Sequence, residues 1–204
     1  MRVGLPAWRL LAPRGGVGNT LWHLLQQYRE LAPGDEFVVY HEAEAALPAG
    51  PNIVPRRLNV RPFENNLTWN DLALPRAVRR DRIDLLHNLS YTLPARLTVP
   101  AVVTVHDVSY LRHPEWFSPR AARWLRRGTL RAARQARVVT DSHFSAAEIA
   151  ELCGLPRSQI AVVPLAAEER YQPTDPAELR ARLGLPQRFV LYLGGLLERR
   201  RLDL

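Results

Sequence analysis

A chain of 204 residues that is 47% hydrophobic and 24% charged has the composition of an ordinary folded protein, which excludes the disordered and low-complexity classes. Its net charge is +8, yet it contains no lysine and all 28 basic residues are arginine, so compositional bias contributes to the basicity and nucleic acid is not indicated as a partner. No run approaches the roughly 20 apolar residues of a membrane span, prolines and arginines precede any signal-peptide core, and the lone Cys153 excludes an internal disulfide or a thiolate zinc site.

In chain order, Arg2 to Leu5 reads as a strand, followed by a loop and then by Leu21, Leu24, Leu25, Tyr28 and Leu31, which share one helical face. Pro33-Gly34-Asp35 ends that helix, and Phe37 to Tyr40 reads as the next strand. Ile53 to Val54, Ile83 to His87, Ala101 to Val105, Arg137 to Thr140 and Ile160 to Val163 are further buried-strand candidates. Helical stretches lie between them at Asn66 to Arg80, interrupted near Pro75, at Ser118 to Gln135 and at Ser145 to Leu152. Short apolar strands alternating with helices predict a doubly wound parallel sheet, a Rossmann-like α/β domain. Between Pro164 and Arg188, prolines bracket a short helix at Ala177 to Leu183, the texture of an interdomain connection. Phe189 to Leu193 then reads as the first strand of a second α/β unit. The expected organisation is residues 1–165 as the first domain, 166–188 as linker and 189–204 as the start of another.

Ligands in such sheets bind beyond the carboxyl ends of the strands, which turns the strand reading into a site prediction. After the first strand, Gly15, Gly16, Gly18 and Asn19 read as a glycine-rich loop leading into a helix, whose backbone N–H groups and helix N-terminus suit an anion; a flexible turn is the alternative. Leu21 stands where a dinucleotide fingerprint needs its third glycine, and no Walker A pattern is present. His106 and Asp107 follow the strand ending at Val105, either as reacting groups or as a pair capping the loop. Asn88, Ser90 and Ser142 follow other strands and should share the same rim. Six scattered histidines give no metal-ligand spacing, and no metal site is expected. Arg120, Arg123, Arg127, Arg131 and Arg134 fall near one helical face with Trp124 and Leu125 beside them. That face suits anionic lipid headgroups or a phosphorylated acceptor, or else it is a solvated surface.

The run from Thr104 to Phe117, TVHDVSYLRHPEWF, resembles the group-1 (family 4) retaining glycosyltransferases, especially the mannosyltransferase-like members. The similarity continues through Thr140-Asp141-Ser142-His143-Phe144-Ser145, Val162-Val163-Pro164-Leu165 and Leu183-Gly184-Leu185-Pro186, and resumes at Phe189 to Leu196. The resemblance implies a GT-B enzyme, with two Rossmann-like domains facing across a cleft and no cofactor or obligatory metal. The donor is a nucleotide sugar, such as GDP-mannose, and the acceptor a glycan or lipid-linked glycan. Carried over by position, His106 lies at the reaction centre with Asp107 in support. Gly15, Gly16 and Gly18 approach the donor diphosphate or the acceptor, and Arg200 takes the place of a donor-phosphate lysine. Pro6 and Trp8 stand where relatives often have Asp and Arg, and the family's paired-glutamate motif would lie beyond Leu204. The expectation is therefore an acceptor-side, truncated half of a glycosyltransferase, inactive unaided, with a non-catalytic acceptor-binding module or one half of a split enzyme as the alternative. A cytoplasmic chain is expected, peripheral to the inner membrane face if the arginine helix touches lipid, and one that self-associates if the strand at Phe189 to Leu193 is left unpaired.

Overall fold

The computed structural model describes residues 1–8, 15–42, 47–59, 68–168, 171–173 and 175–194. Seven parallel strands form one sheet: β1 (Arg2–Pro6), β2 (Glu36–His41), β3 (Ile53–Arg57), β4 (Leu85–Asn88), β5 (Ala101–Thr104), β6 (Arg137–Thr140) and β7 (Ile160–Val162), in the order β3-β2-β1-β4-β5-β6-β7. Parallel neighbours require crossover connections. These are α1 (Gly16–Leu31), α2 (Leu74–Arg80), α3 (Ser109–Arg112), α4 (Pro119–Gln135) and α5 (His143–Cys153). The order reverses between β1 and β4, which creates a switch-point crevice beyond their carboxyl ends.

The doubly wound form follows from period-two alternation in the central strands. In β2, Phe37 and Val39 enter a core built with Leu21 and Leu25 of α1, while Val38 and Tyr40 enter one built with Leu74 and Val78 of α2 and Leu86 of β4. Gly4 sits where the second layer comes closest. A Cβ there would lie 3.2 Å from both Ile83 and Leu86 and 3.3 Å from Tyr40, so β1 carries its one bare position where the packing is tightest.

Several expectations change at the ends of elements. Leu31, placed by periodicity on the apolar face of α1, is 77% exposed as the last residue of the helix. The start of the helix expected from Asn66 lies outside the described residues. Its interruption near Pro75 takes the form of a π-helical turn over Trp69–Ala73 that leads into α2. Pro75 has no N–H to return to the preceding turn, and the chain widens there, the Leu74 N–H donating to the Trp69 carbonyl five residues back. Ser118 and Ser142 cap α4 and α5, accepting from the N–H groups of Ala121 and Ser145. Cys153 is buried at the end of α5, burial pushes its thiol up to about 11, and Gly154 closes the helix at φ +67°.

A polar link joins β2 to the end of α2 inside the fold. The buried Tyr40 hydroxyl donates to Asp81 Oδ2 at 3.1 Å, and Arg80 donates to both oxygens of the same carboxylate. Hydrogen bonding from Arg80 holds the Asp81 carboxyl below its usual range. Its stabilisation is therefore complete above the unfolded value near 4 and fades as pH falls through the lower folded value. Asp81→Ala should cost about 2 kcal/mol in chemical denaturation at neutral pH, because it strands the Tyr40 hydroxyl. Adding Tyr40→Phe should return part of that loss; a double variant no more stable than the single would show that the hydroxyl is not the cause.

The chain divides into two compact units, Met1–Pro164 and Leu165–Leu204. Within the second, α6 (Ala177–Leu183) ends at Gly184 with φ +62°, and the Arg180 guanidinium donates to the Pro186 carbonyl. Phe189 to Leu193 is not a strand, contrary to the sequence reading. It makes no β ladder among the described residues, and Val190 and Leu193 are more than 90% exposed. An apolar run becomes a strand only when a neighbouring strand satisfies its backbone groups.

Candidate functional site

The site is built from loops that leave β4, β5 and β6 side by side. Strand register pairs Thr104 with Val139, so the residues two positions further on, His106 and Asp141, emerge opposite one another. His106 Nδ1 lies 2.7 Å from Asp141 Oδ2, and its Nε2 lies 3.1 Å from the Leu89 carbonyl in the loop after β4. Both partners are acceptors, so each ring nitrogen is placed to donate, and the imidazole is gripped from two sides. The His106 and Asp141 side chains are only 14% and 21% exposed, so this hydrogen-bonded pair is largely shielded from solvent.

Asp107 faces elsewhere. Its Oδ1 accepts from the backbone N–H and the hydroxyl of Ser109, at 2.9 and 2.6 Å, and its Oδ2 from the Tyr91 hydroxyl at 3.3 Å. The carboxylate against His106 is thus Asp141, not its sequence neighbour, and Asp107 holds the turn into α3. Nothing in the sequence pattern marks Tyr91. Its ring meets His106 edge-on at 5.7 Å and Tyr110 at 5.9 Å, and its backbone is left-handed with φ +58°. A non-glycine residue in that region costs roughly 1–3 kcal/mol and persists only where its surroundings hold it, most often beside functional groups. Here those surroundings include Asn88, whose amide donates to the Thr92 carbonyl and whose Oδ1 accepts from the Ser90 N–H, 2.7 and 3.0 Å away. Asn88 and Ser142 therefore spend their side chains on local structure, on the β4 loop and on the α5 cap respectively.

On the other side of β4, the glycine segment after β1 is helix rather than loop. Gly15 is the N-cap and Gly16, Val17, Gly18 and Asn19 form the first turn of α1. Asn19 already donates to the Gly15 carbonyl, whereas the turn has no side-chain cap and no acidic residue. Added Cβ atoms at Gly15 or Gly16 would touch nothing within 4 Å among the described residues, so packing against these does not require glycine there. Bare backbone at a positive helix end leaves room for an anion to reach the N–H groups. Arg200 lies outside the described residues, as do residues 9–14 between β1 and α1.

Beyond Tyr91 the same loop borders a cavity of about 610 Å³ between α4 and the π-helical turn, lined by Asp71, Thr92, Arg120, Arg123, Trp124 and Arg127, with Arg131 behind them. Gly128 permits this close approach, since a Cβ on it would come within 2.6 Å of Thr92 Cγ2. The arginine face read from helical spacing is thus folded partly against a neighbouring element.

A doubly wound parallel sheet with polar groups gathered at the carboxyl ends of its strands defines a Rossmann-like ligand-binding domain. A profile of Glycosyltransferase Family 4 matches residues 14–171, and the chain belongs to that family. It is 31% identical over 123 residues to the O-antigen chain mannosyltransferase B of Escherichia coli, a match covering 58% of this chain and 32% of that protein. The fold is similar to that of WaaG, a glycosyltransferase involved in lipopolysaccharide biosynthesis, with TM-score 0.65, 13% identity and coverage of 92% of this chain and 52% of WaaG. A glycosyltransferase from Rickettsia africae is also similar, with TM-score 0.51 and 12% identity over 91% of this chain and 50% of that one. The chain thus spans about a third to a half of the length of these relatives.

No helix among the described residues is long and apolar enough to cross a membrane.

Proposed function

We propose that this chain supplies the acceptor-side half of a retaining glycosyltransferase that moves a hexose, such as mannose, from a nucleotide-sugar donor to a glycan or lipid-linked glycan. The observation that carries this reading is the His106–Asp141 pair, held at the carboxyl-end rim of the sheet, beyond β5 and β6, in a chain that belongs to a glycosyltransferase family. The mannose component rests on the similarity to the Escherichia coli mannosyltransferase alone.

The chemistry needs charge stabilisation at two places. As the glycosidic bond to the diphosphate breaks, negative charge grows on the leaving group and positive charge on the sugar ring. The uncapped first turn of α1 offers oriented N–H dipoles to the diphosphate, and the absence of an acidic residue there leaves its field unopposed. His106 has Nδ1 fixed by Asp141, and its Nε2, which faces the Leu89 carbonyl, would hold a hydroxyl of the transferred sugar in exchange for that carbonyl. Tyr91 and Asp107 keep this loop pair rigid, which preserves alignment.

The test is transfer of radiolabelled hexose from a panel of nucleotide sugars to lipid-extracted acceptor, with the anomeric configuration of the product read by NMR. Turnover with one donor and a retained anomeric centre is expected from the complete protein. Binding of a neutral glycan without transfer from any donor would favour the acceptor-binding module instead.

A further inference from the structure

We infer that the cavity between α4 and the π-helical turn is a binding site for a phosphorylated sugar. Its place in the acceptor rests on the glycosyltransferase reading, but its anion chemistry does not.

The charge is the first argument. Arg120, Arg123 and Arg127 are exposed along one side of α4 and have no ion-pair partner among the described residues. Arg123, Arg127 and Arg131 repeat at four-residue spacing, where like charges destabilise a helix by roughly 0.2–0.5 kcal/mol per pair. An anion bound among them would relieve that repulsion. Arginine also presents planar forks matched to phosphoryl oxygens.

The floor argues for a sugar as well as a phosphate. Asp71 Oδ1 accepts from the Ala95 N–H at 2.7 Å and lies 3.6 Å from Arg131, whose Nη2 donates to the Leu93 carbonyl at 3.0 Å. A carboxylate in the lining repels a bare anion but accepts from hydroxyls, and Asn70 beside it adds an amide. Trp124, 38% exposed, sets an indole at the rim, where the apolar face of a sugar ring can stack against it. Separate zones for phosphoryl group, hydroxyls and ring face thus occur in one concavity, whose volume of about 610 Å³ lies within the range of roughly 300–1,000 Å³ usual for small-ligand sites. The π-helical turn that carries Asn70 and Asp71 is a local irregularity of the kind often found at functional sites.

A flat lipid surface fits less well. Ala122, Ala132 and Ala133 of α4 are buried, and Leu125 and Leu130 pack partly buried against the core, so Trp124 is the large apolar side chain that this helix exposes and it has no apolar face around it to enter a bilayer.

The experiment titrates the protein with mannose 1-phosphate, mannose and inorganic phosphate by calorimetry, with no donor present, and separately with phosphatidylglycerol vesicles. Mannose 1-phosphate should bind at least tenfold more tightly than either fragment. The double variant Arg123→Ala/Arg127→Ala should weaken it at least tenfold, and Trp124→Ala should reduce its advantage over phosphate. Arg126→Ala, on an exposed arginine outside the cavity, should change nothing. Equal weak binding of all three small ligands, or equal losses in the Arg126 variant, would overturn the assignment. So would vesicle binding abolished by the double variant without any sugar-phosphate binding, which would make the face a membrane contact. Because the titration needs no donor, failure of the complete protein to transfer hexose in the separate assay, with sugar-phosphate binding intact, counts against the enzymatic reading and leaves this site standing.

Discussion

In the complete protein, His106→Ala is expected to lower hexose transfer by roughly a hundred- to a thousandfold, with little change in the apparent KM for donor, because it removes a preorganised polar group from the charge-developing centre. Asp141→Asn should cost less, about tenfold, since the amide oxygen can still accept from Nδ1 while the compensating charge is gone. Asp141 is a positioning residue here, and its effect should run through the histidine. The decisive comparison is therefore the double variant, His106→Ala/Asp141→Ala, which should be no worse than His106→Ala alone. Additive losses would mean that Asp141 acts on substrate directly. Far-ultraviolet circular dichroism and the thermal midpoint should stay close to the parent, because both side chains lie at the rim of the sheet rather than in either core cluster.

The reasons that pair was half legible are instructive. Continuous apolar runs such as Val102-Val103 and Val138-Val139 mark buried parallel strands unambiguously, since both faces of the sheet are covered. Each therefore declared where a loop would emerge, and His106 stood out as the polar residue after one of them. What a linear reading lacked was register. Asp107 adjoins His106 in sequence, but successive residues at a strand exit point to different sides, whereas Asp141, 35 positions away, emerges on the adjacent strand at the matching level. Tyr91 was hidden for another reason. Its left-handed backbone is held by the Asn88 hydrogen bonds and the surrounding rings, a tertiary effect that no local propensity encodes. The glycine segment misled in the opposite direction, because glycines usually signal a loop, and here they open a helix whose first turn is left bare. The arginine periodicity was visible, but the cavity it lines needed the π-helical turn, whose cause at Pro75 shows in the sequence and whose position over α4 does not.

The largest stability effect should appear on acidification. His87 on β4 is largely enclosed, with Nε2 3.0 Å from the Thr104 hydroxyl, and burial pushes its imidazole down to about 4 from the ordinary 6.5. The unfolded chain therefore takes up a proton below 6.5, whereas the folded chain resists it until about 4. Between those values the unfolded state holds more protons, so stability falls as pH is lowered and levels off below the folded value. The shift corresponds to a loss of up to about 3 kcal/mol at 1.36 kcal/mol per pKa unit. His87→Gln keeps a group able to bond Thr104 but cannot titrate, so its stability should be nearly flat over the same window. The difference between the two urea-denaturation profiles isolates the histidine from Asp81, whose contribution fades only at lower pH. Parallel profiles for the parent and His87→Gln between pH 6.5 and 4 would show that His87 takes up its proton without disturbing the fold. If the profiles diverge as expected, His87 is neutral at pH 7, and the β4 exit adds no charge of its own beside the His106–Asp141 hydrogen bond.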